Sequence, residues 1–384
     1  MRSVLGLAAL AALAMLSCTG ATGPPCFTQQ PGYIYEDRDA IFVANTGSSS
    51  ISAFQDVAFT PGYSEGGVCG SPFAVSAPPT ALGGGISTPS SQIFDLIVLS
   101  APEKTISLFS VDFVTSVLTG PVATVTTPYT PVAVAVWGYF FYVANAEGSV
   151  SAYQVSGKGA VVAELAGSPF PAGSGPVAIA AAEPGLLYVA NSQSNNVTGY
   201  TLNPNTGAPT PLSDSPFPAG TTPSSIEVAP PTYPNGFGAT LVIVTNARSN
   251  NVSVYSVSGA GGLTPVSGSP FAAGAAPTSS ATGNYLPLRW VYVANSQSNN
   301  ISGYSINDAS GVLTPLASSP FPAGEQPLSV ASAGAQFLYA ANNGSNSLSV
   351  YSIDQSSGAL TPVSGSPFPV GQSPGAVLYF QVPD

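Results

Sequence analysis

Apolar and polar positions alternate along short stretches of this chain. From Val252, the residues Val252, Val254 and Ser256 fall on one face of an extended segment and Ser253, Tyr255 and Val257 on the other. Leu348, Val350 and Ser352 against Ser349, Tyr351 and Ile353 repeat the arrangement. Both faces carry large apolar groups, as in a sheet packed between two layers rather than covered on one side. Uniformly apolar runs of strand length lie close by, at 177–181 and 186–190, and a third segment follows at 197–202. A fourth is expected from Pro211 to Phe217. Each is bounded by Gly, Pro, Asn or Ser, which predicts four short strands in succession. Helical periodicity is confined to the first eighteen residues.

The four segments recur. Tyr188-Val189-Ala190-Asn191 returns as Tyr292-Val293-Ala294-Asn295, Tyr142-Val143-Ala144-Asn145 and Ile243-Val244-Thr245-Asn246, and the same asparagine stands at Asn45 and Asn342. A seventh copy, at 96–100, keeps the strand and the following Ile106-Ser107-Leu108-Phe109 but ends in Ser100. These seven anchors are spaced 45–55 residues apart, the mark of a repeat architecture. Asn203 to Gly207, Asn307 to Gly311 and Asp354 to Gly358 each open with Asn or Asp and end with Gly, so they are predicted hairpin loops. Ser-Pro-Phe occurs six times, ending at Phe73, Phe170, Phe217, Phe271, Phe321 and Phe368. Its proline suits an outer edge strand, and its phenylalanine is expected to pack between neighbouring units. Two repeats depart from the period, with a glycine-rich excursion at 74–91 and an insertion at 230–238. After the last Ser-Pro-Phe, residues 376–381 look like a first strand with no repeat behind them, whereas the first repeat has only 33–35 as a weak first strand. The C-terminal segment is therefore expected to complete the first unit. The fold class is all-β: a seven-bladed β-propeller of four-stranded antiparallel blades, closed by the C-terminal strand and occupying 33–384 as one domain.

The wording of the repeat resembles the YVTN-repeat propellers, which are similar to the lactonase-like propellers of bacteria. The four motifs above carry the resemblance, with the Asn251-Val252-Ser253-Val254-Tyr255 run and the Leu-Thr-Pro after each hairpin (Leu263, Leu313, Leu360). It covers about residue 41 to the C-terminus; alanine replaces the family's usual threonine in most copies. The resemblance implies a fold more than a function, because the repeat serves many roles. Lactonase-like relatives are thought to use acidic residues near the channel, often with arginine, histidine or a divalent metal. None of those groupings transfers residue by residue.

Composition narrows the choices. Only 6% of residues are charged, net charge is −11, and histidine is absent. Nucleic acid is a poor partner for such a surface, and the commonest general base and metal ligand is missing. No metal or cofactor is expected. At the N-terminus Arg2 precedes an apolar run at 4–16, too short to span a bilayer, so 1–18 reads as an export signal. Leu16-Ser17-Cys18 resembles a lipoprotein box, leaving two outcomes: lipidation of Cys18, with a cell-envelope anchor as the one membrane contact, or cleavage nearby and release. Residues 19–32 read as a tether, and Cys26 and Cys69 remain as an even pair able to form a disulfide.

Up-and-down strand order places the loops after each second strand and the connections between blades on one face. That face is expected to carry Asn191, Gln193, Asn195, Asn246, Arg248, Asn250, Asn295, Gln297, Asn299, Asn342 and Asn346. Such amides could hydrogen-bond a carbohydrate, peptide or protein partner; alternatively the asparagines cap their own turns. The main expectation is a monomeric, exported, non-catalytic binding module. The alternative is a lactone hydrolase with Glu227, Glu147 or Arg248 as participants, and a third reading is a structural envelope protein. By register Glu227 falls on an innermost strand, where it is expected to face the channel.

Overall fold

The computed structural model describes residues 39–55, 68, 70–87, 94–112, 116–156, 161–231, 239–285, 288–334 and 336–380. Every regular element among them is a strand, and the strands form seven antiparallel sheets. Blade 1 takes its innermost strand from the C-terminus, Pro374–Phe380, which pairs with Ala40–Asn45. The innermost strands of blades 2 to 7 are Ala81–Ser87, Pro131–Trp137, Pro176–Ala182, Pro223–Ala229, Pro277–Tyr285 and Pro327–Ala333. Each contacts the next, and Pro374–Phe380 touches both Pro327–Ala333 and Ala81–Ser87, so the ring is closed. The protein is a seven-bladed β-propeller.

The two-faced strands have the predicted cause. There are seven apolar clusters, and each lies between two adjacent blades. Between blades 4 and 5, for example, Tyr188, Val197 and Phe217 meet Val242, Val244 and Tyr255. The burial of these faces is what holds the blades side by side, at about 25 cal/mol per Å² of apolar surface removed from water.

Polar clasps add direction to that packing. The hydroxyls of Tyr142, Tyr188 and Tyr292, from second strands, donate to the carbonyls of Gly207, Gly261 and Gly358 in the hairpin of the following blade at 2.7, 2.7 and 2.8 Å. Those glycines have φ of 69–87°, the left-handed region that favours Gly. On third strands, Tyr255, Tyr304 and Tyr351 donate to Pro218, Ala272 and Pro322 of the preceding blade at 2.5–2.7 Å, and Tyr200 does the same to Pro171. Burial pushes all of these phenols above the usual tyrosine range, so they stay donors. Tyr188→Phe keeps the apolar contacts but strands the buried Gly261 carbonyl. It should cost about 1–3 kcal/mol in denaturant unfolding; an unchanged midpoint would mean that water replaces the phenol.

Two expectations need correction. The outer strand is not continuous from Pro211 to Phe217: Pro209–Pro211 and Phe217–Pro218 pair separately with Asn196–Leu202. In the gap, Ser215 Oγ accepts the Gly199 N–H at 3.0 Å, and the serines of five other Ser-Pro-Phe copies do the same at 2.9–3.1 Å. The motif thus replaces a lost ladder bond with a side chain. The glycine-rich stretch after Ala74 is likewise no simple excursion, since Ala81–Ser87 within it is the innermost strand of blade 2. A Cβ on Gly83 would lie 2.6 Å from Val134, and one on Gly84 2.7 Å from Phe380. Neighbouring blades fill the space a side chain would need, which is why this strand lacks an apolar signature. Cys18, Cys26, Cys69 and the export signal lie outside the described residues, as does most of the 230–238 insertion.

Candidate active site in the central channel

The antiparallel register puts the N-terminal ends of innermost strands beside the ends of second strands, as Pro176 opposite Asn191 shows. Loops after second strands therefore emerge on one face with the inter-blade connections, as expected. The asparagine repeated in the motifs does not face outward there. Asn191, Asn246, Asn295 and Asn342, with Asn45 and Asn145, are fully buried. Each donates its amide to a hydroxyl two residues into the third strand, at 2.9–3.0 Å: Thr198, Ser253, Ser302, Ser349, Ser52 and Ser151. They tie the second strand to the third and are unavailable as ligand contacts. The reason is burial: a side chain between two strands satisfies a neighbour that water cannot reach.

Asn195, Asn250, Asn299 and Asn346 are exposed, but each has a φ of 51–55° and an occupied Oδ1. Those oxygens accept the backbone N–H of Thr222, Ala276, Gln326 and Ser373 in the next connection at 2.8–2.9 Å. Asparagine tolerates this left-handed backbone better than most residues. Of the expected contact residues, Gln193, Arg248 and Gln297 are the exposed ones with no such duty. A cavity of about 460 Å³ opens at the mouth between blades 6 and 7, lined by Ser296, Gln297, Asn299, Gln326 and Leu328.

The three acidic and basic candidates separate. Glu147 serves its own loop, because both carboxylate oxygens accept the Thr130 N–H at 3.0 Å and Oε1 also accepts the Thr130 hydroxyl at 2.8 Å. Slight burial pushes its pKa up, but these bonds and Lys104 outweigh that and leave it lowered. Arg248 is exposed on the loop of blade 5. Among the described residues, no hydrogen bond or ion pair links either to Glu227.

Glu227 lies in the channel wall. It helps line a cavity of about 290 Å³ bounded by the innermost strands of blades 5, 6, 7 and 1, with Ser280, Thr282, Ser332 and Tyr379 as the other polar residues. Its Oε1 accepts the backbone N–H and the hydroxyl of Thr282, both at 2.8 Å. Its Oε2 is buried without a hydrogen-bond partner, and so is Ser280 Oγ. Burial lifts the Glu227 carboxyl above the ordinary carboxylate range, against the lowering influence of Thr282, Ser280 and Arg289. A carboxylate in this state is a strong acceptor for any donor brought to it.

Arg289 escaped the sequence reading. It sits on the second strand of blade 6 with a fully buried side chain, forms an ion pair with Asp308 at 3.3 Å, and donates to the Ala239 and Ala229 carbonyls at 3.3 and 3.2 Å. Its Nε has no partner. Its one signal was an arginine inside an otherwise apolar second strand, in Leu288-Arg289-Trp290-Val291-Tyr292. The charge favours ionisation of Glu227 from behind the wall. Among the described residues, no group of three His, Cys, Asp or Glu side chains gathers as metal ligands.

Comparison with known proteins agrees with this architecture. Residues 287–378 match the family model described as lactonase, 7-bladed β-propeller. A candidate 6-phosphogluconolactonase from Bacteroides uniformis ATCC 8492 superposes with a TM-score of 0.72 at 18% identity, over 90% of this chain and 100% of that one. The periplasmic gluconolactonase PpgL of Pseudomonas aeruginosa gives 0.66 at 20%, over 90% and 99%. Hydrazine synthase of Kuenenia stuttgartiensis shares the fold more loosely, at 0.56 and 17%, over 82% and 98%. No curated protein sequence matches the chain. The closed ring of seven blades makes this chain a seven-bladed β-propeller, similar in its last blades to the lactonase family and in overall fold to solved lactonase-type propellers.

Proposed function

We propose that the protein hydrolyses a lactone in its central channel, with Glu227 as general base. The observation that carries this reading is the Glu227 carboxyl itself: raised by burial, placed at a cavity, and holding one oxygen that the fold leaves unpaired. A base of raised pKa holds the proton it takes better than an ordinary carboxylate does. Glu227 takes a proton from a water admitted with the substrate, and the resulting hydroxide oxygen bonds to the lactone carbonyl carbon. The ring C–O bond then breaks, and the departing ring oxygen recovers the proton, giving a hydroxy acid. Ser280, at the same cavity, brings a hydroxyl toward the developing oxyanion. Similarity to a gluconolactonase and to a candidate 6-phosphogluconolactonase supports the reading. The N-terminal signal pattern would place the activity outside the cytoplasm. Acid release from a six-membered aldonolactone, followed by pH-stat, is the test: turnover above the spontaneous rate is expected, and a rate equal to the blank would overturn the proposal.

The cavity at the loop-face mouth favours a second reading, the binding of a carbohydrate without chemistry. Gln297 and Gln326 bring two exposed side-chain amides to it. On that reading Gln297→Ala weakens glycan binding about tenfold, the worth of roughly one hydrogen bond, in a titration that is silent on lactone turnover. A thermal-shift screen that finds no stabilising glycan would remove it.

A further inference from the structure

We infer that the ligand of this channel is an uncharged, polyhydroxylated lactone, and that a phosphate on the substrate is rejected. The inference rests on the hydrolytic reading above and adds the substrate class. Its grounds are the identity and the commitments of the groups along the axis.

From mouth to wall the polar lining, Glu227 apart, consists of amides and hydroxyls. Gln297, Asn299 and Gln326 border the outer cavity, and Ser280, Thr282 and Ser332 the inner one. These groups donate and accept in equal measure, which matches sugar hydroxyls and not a dianion. Among the described residues, the one charged side chain at the inner cavity is the carboxylate of Glu227. A phosphate dianion brought beside it meets a like charge in a site with little water to screen it.

A phosphate dianion on a substrate is most often held by cations with free N–H groups, above all an arginine fork. The whole chain has six Lys and Arg residues and no His. Among the described residues the cations are Lys104, Arg248 and Arg289, and neither cavity is lined by any of them. Lys104 donates to the Pro128 carbonyl at 3.0 Å on the loop face of blade 2. Arg248 is exposed on the blade 5 loop. Arg289 comes nearest in effect, because its charge is felt by Glu227, yet its two terminal nitrogens are spent on Asp308, Ala239 and Ala229, and its side chain is sealed from solvent. Turning that fork to a phosphate would break its bonds to Asp308 and to two carbonyls.

The test compares a six-membered aldonolactone with its 6-phosphate on the purified protein. Like-charge juxtaposition costs several kcal/mol, so kcat/KM should favour the neutral lactone by about 100-fold or more. Equal or preferred turnover of the phosphate would overturn the inference while leaving lactone hydrolysis in place. If neither is turned over, the hydrolytic reading falls, and calorimetric titration with the unreactive lactam and its 6-phosphate decides the ligand class. Binding of the neutral lactam alone sustains the inference. Binding of the phosphate, or of neither, ends it.

Discussion

Glu227→Gln is expected to lower the kcat for lactone hydrolysis by about 10²–10⁴-fold, the usual worth of a positioned general base. The substitution is nearly isosteric, so Gln can still accept the two bonds from Thr282 that fix the side chain. KM should therefore change little, and the loss should fall on kcat. Parent activity should rise with pH through the raised carboxyl value, because the base works only when deprotonated; the variant's residual rate should lack that limb. A variant with parent-like kcat would remove Glu227 from the chemistry.

The same substitution has a stability signature of known sign. Burial raises the folded-state pKa of Glu227 above the ordinary value of 4.5. The folded chain then binds this proton more tightly than the unfolded chain, so stability is lost as pH climbs from about 4.5 to the raised value. Glutamine carries no proton to lose. Above that window Glu227→Gln should be as stable as the parent or more so, even as it loses activity. Lower activity with higher stability is hard to obtain from a residue that serves only the fold.

Much of the fold was legible because its physical cause is local and repeated. A strand packed on both faces writes apolar residues at both parities, and seven copies of Val-Ser-Val-Tyr-like segments state that cause seven times. The innermost strand of blade 2 was less legible because its side-chain space belongs to Val134 and Phe380, from strands far away in sequence. The site divides in the same way. Glu227 could be placed by counting along its strand. The motif asparagines looked like surface amides because a buried side-chain hydrogen bond to the next strand and an exposed turn cap have the same local sequence. Arg289 pairs with Asp308 in the hairpin of its own blade and with two backbone carbonyls of blade 5, and the contacts that cross between blades leave no spacing to read.

Deletion from residue 374 onward should abolish cooperative folding. The strand Pro374–Phe380 is the one through which the last residues of the chain hold the first blade, pairing along Ala40–Asn45 with a single register shift between Ala44 and Asn45. It also enters two separate cores. Val377 packs with Tyr339, Leu348 and Ile41 between blades 7 and 1, and Phe380 packs with Phe42, Leu96 and Phe109 between blades 1 and 2. The Phe42 and Phe380 rings meet edge to face at 6.2 Å and 78°. Losing two buried side chains at about 1.5–3 kcal/mol each, and a ladder of backbone bonds at about 1 kcal/mol each, takes away most of a typical stability of about 5–15 kcal/mol. It would also open a long apolar edge at Ala40–Asn45, all six residues of which are buried in the closed ring. The truncated chain should show no sharp thermal transition in near-ultraviolet circular dichroism. Phe380→Ala, a milder lesion, should keep the transition and lower stability by about 3–5 kcal/mol. A truncated chain that melts like the parent would mean that the blades hold the ring without its closing strand. A synthetic peptide of the deleted residues that restores the transition would locate the loss in the strand itself and not in the seven blades' own capacity to form.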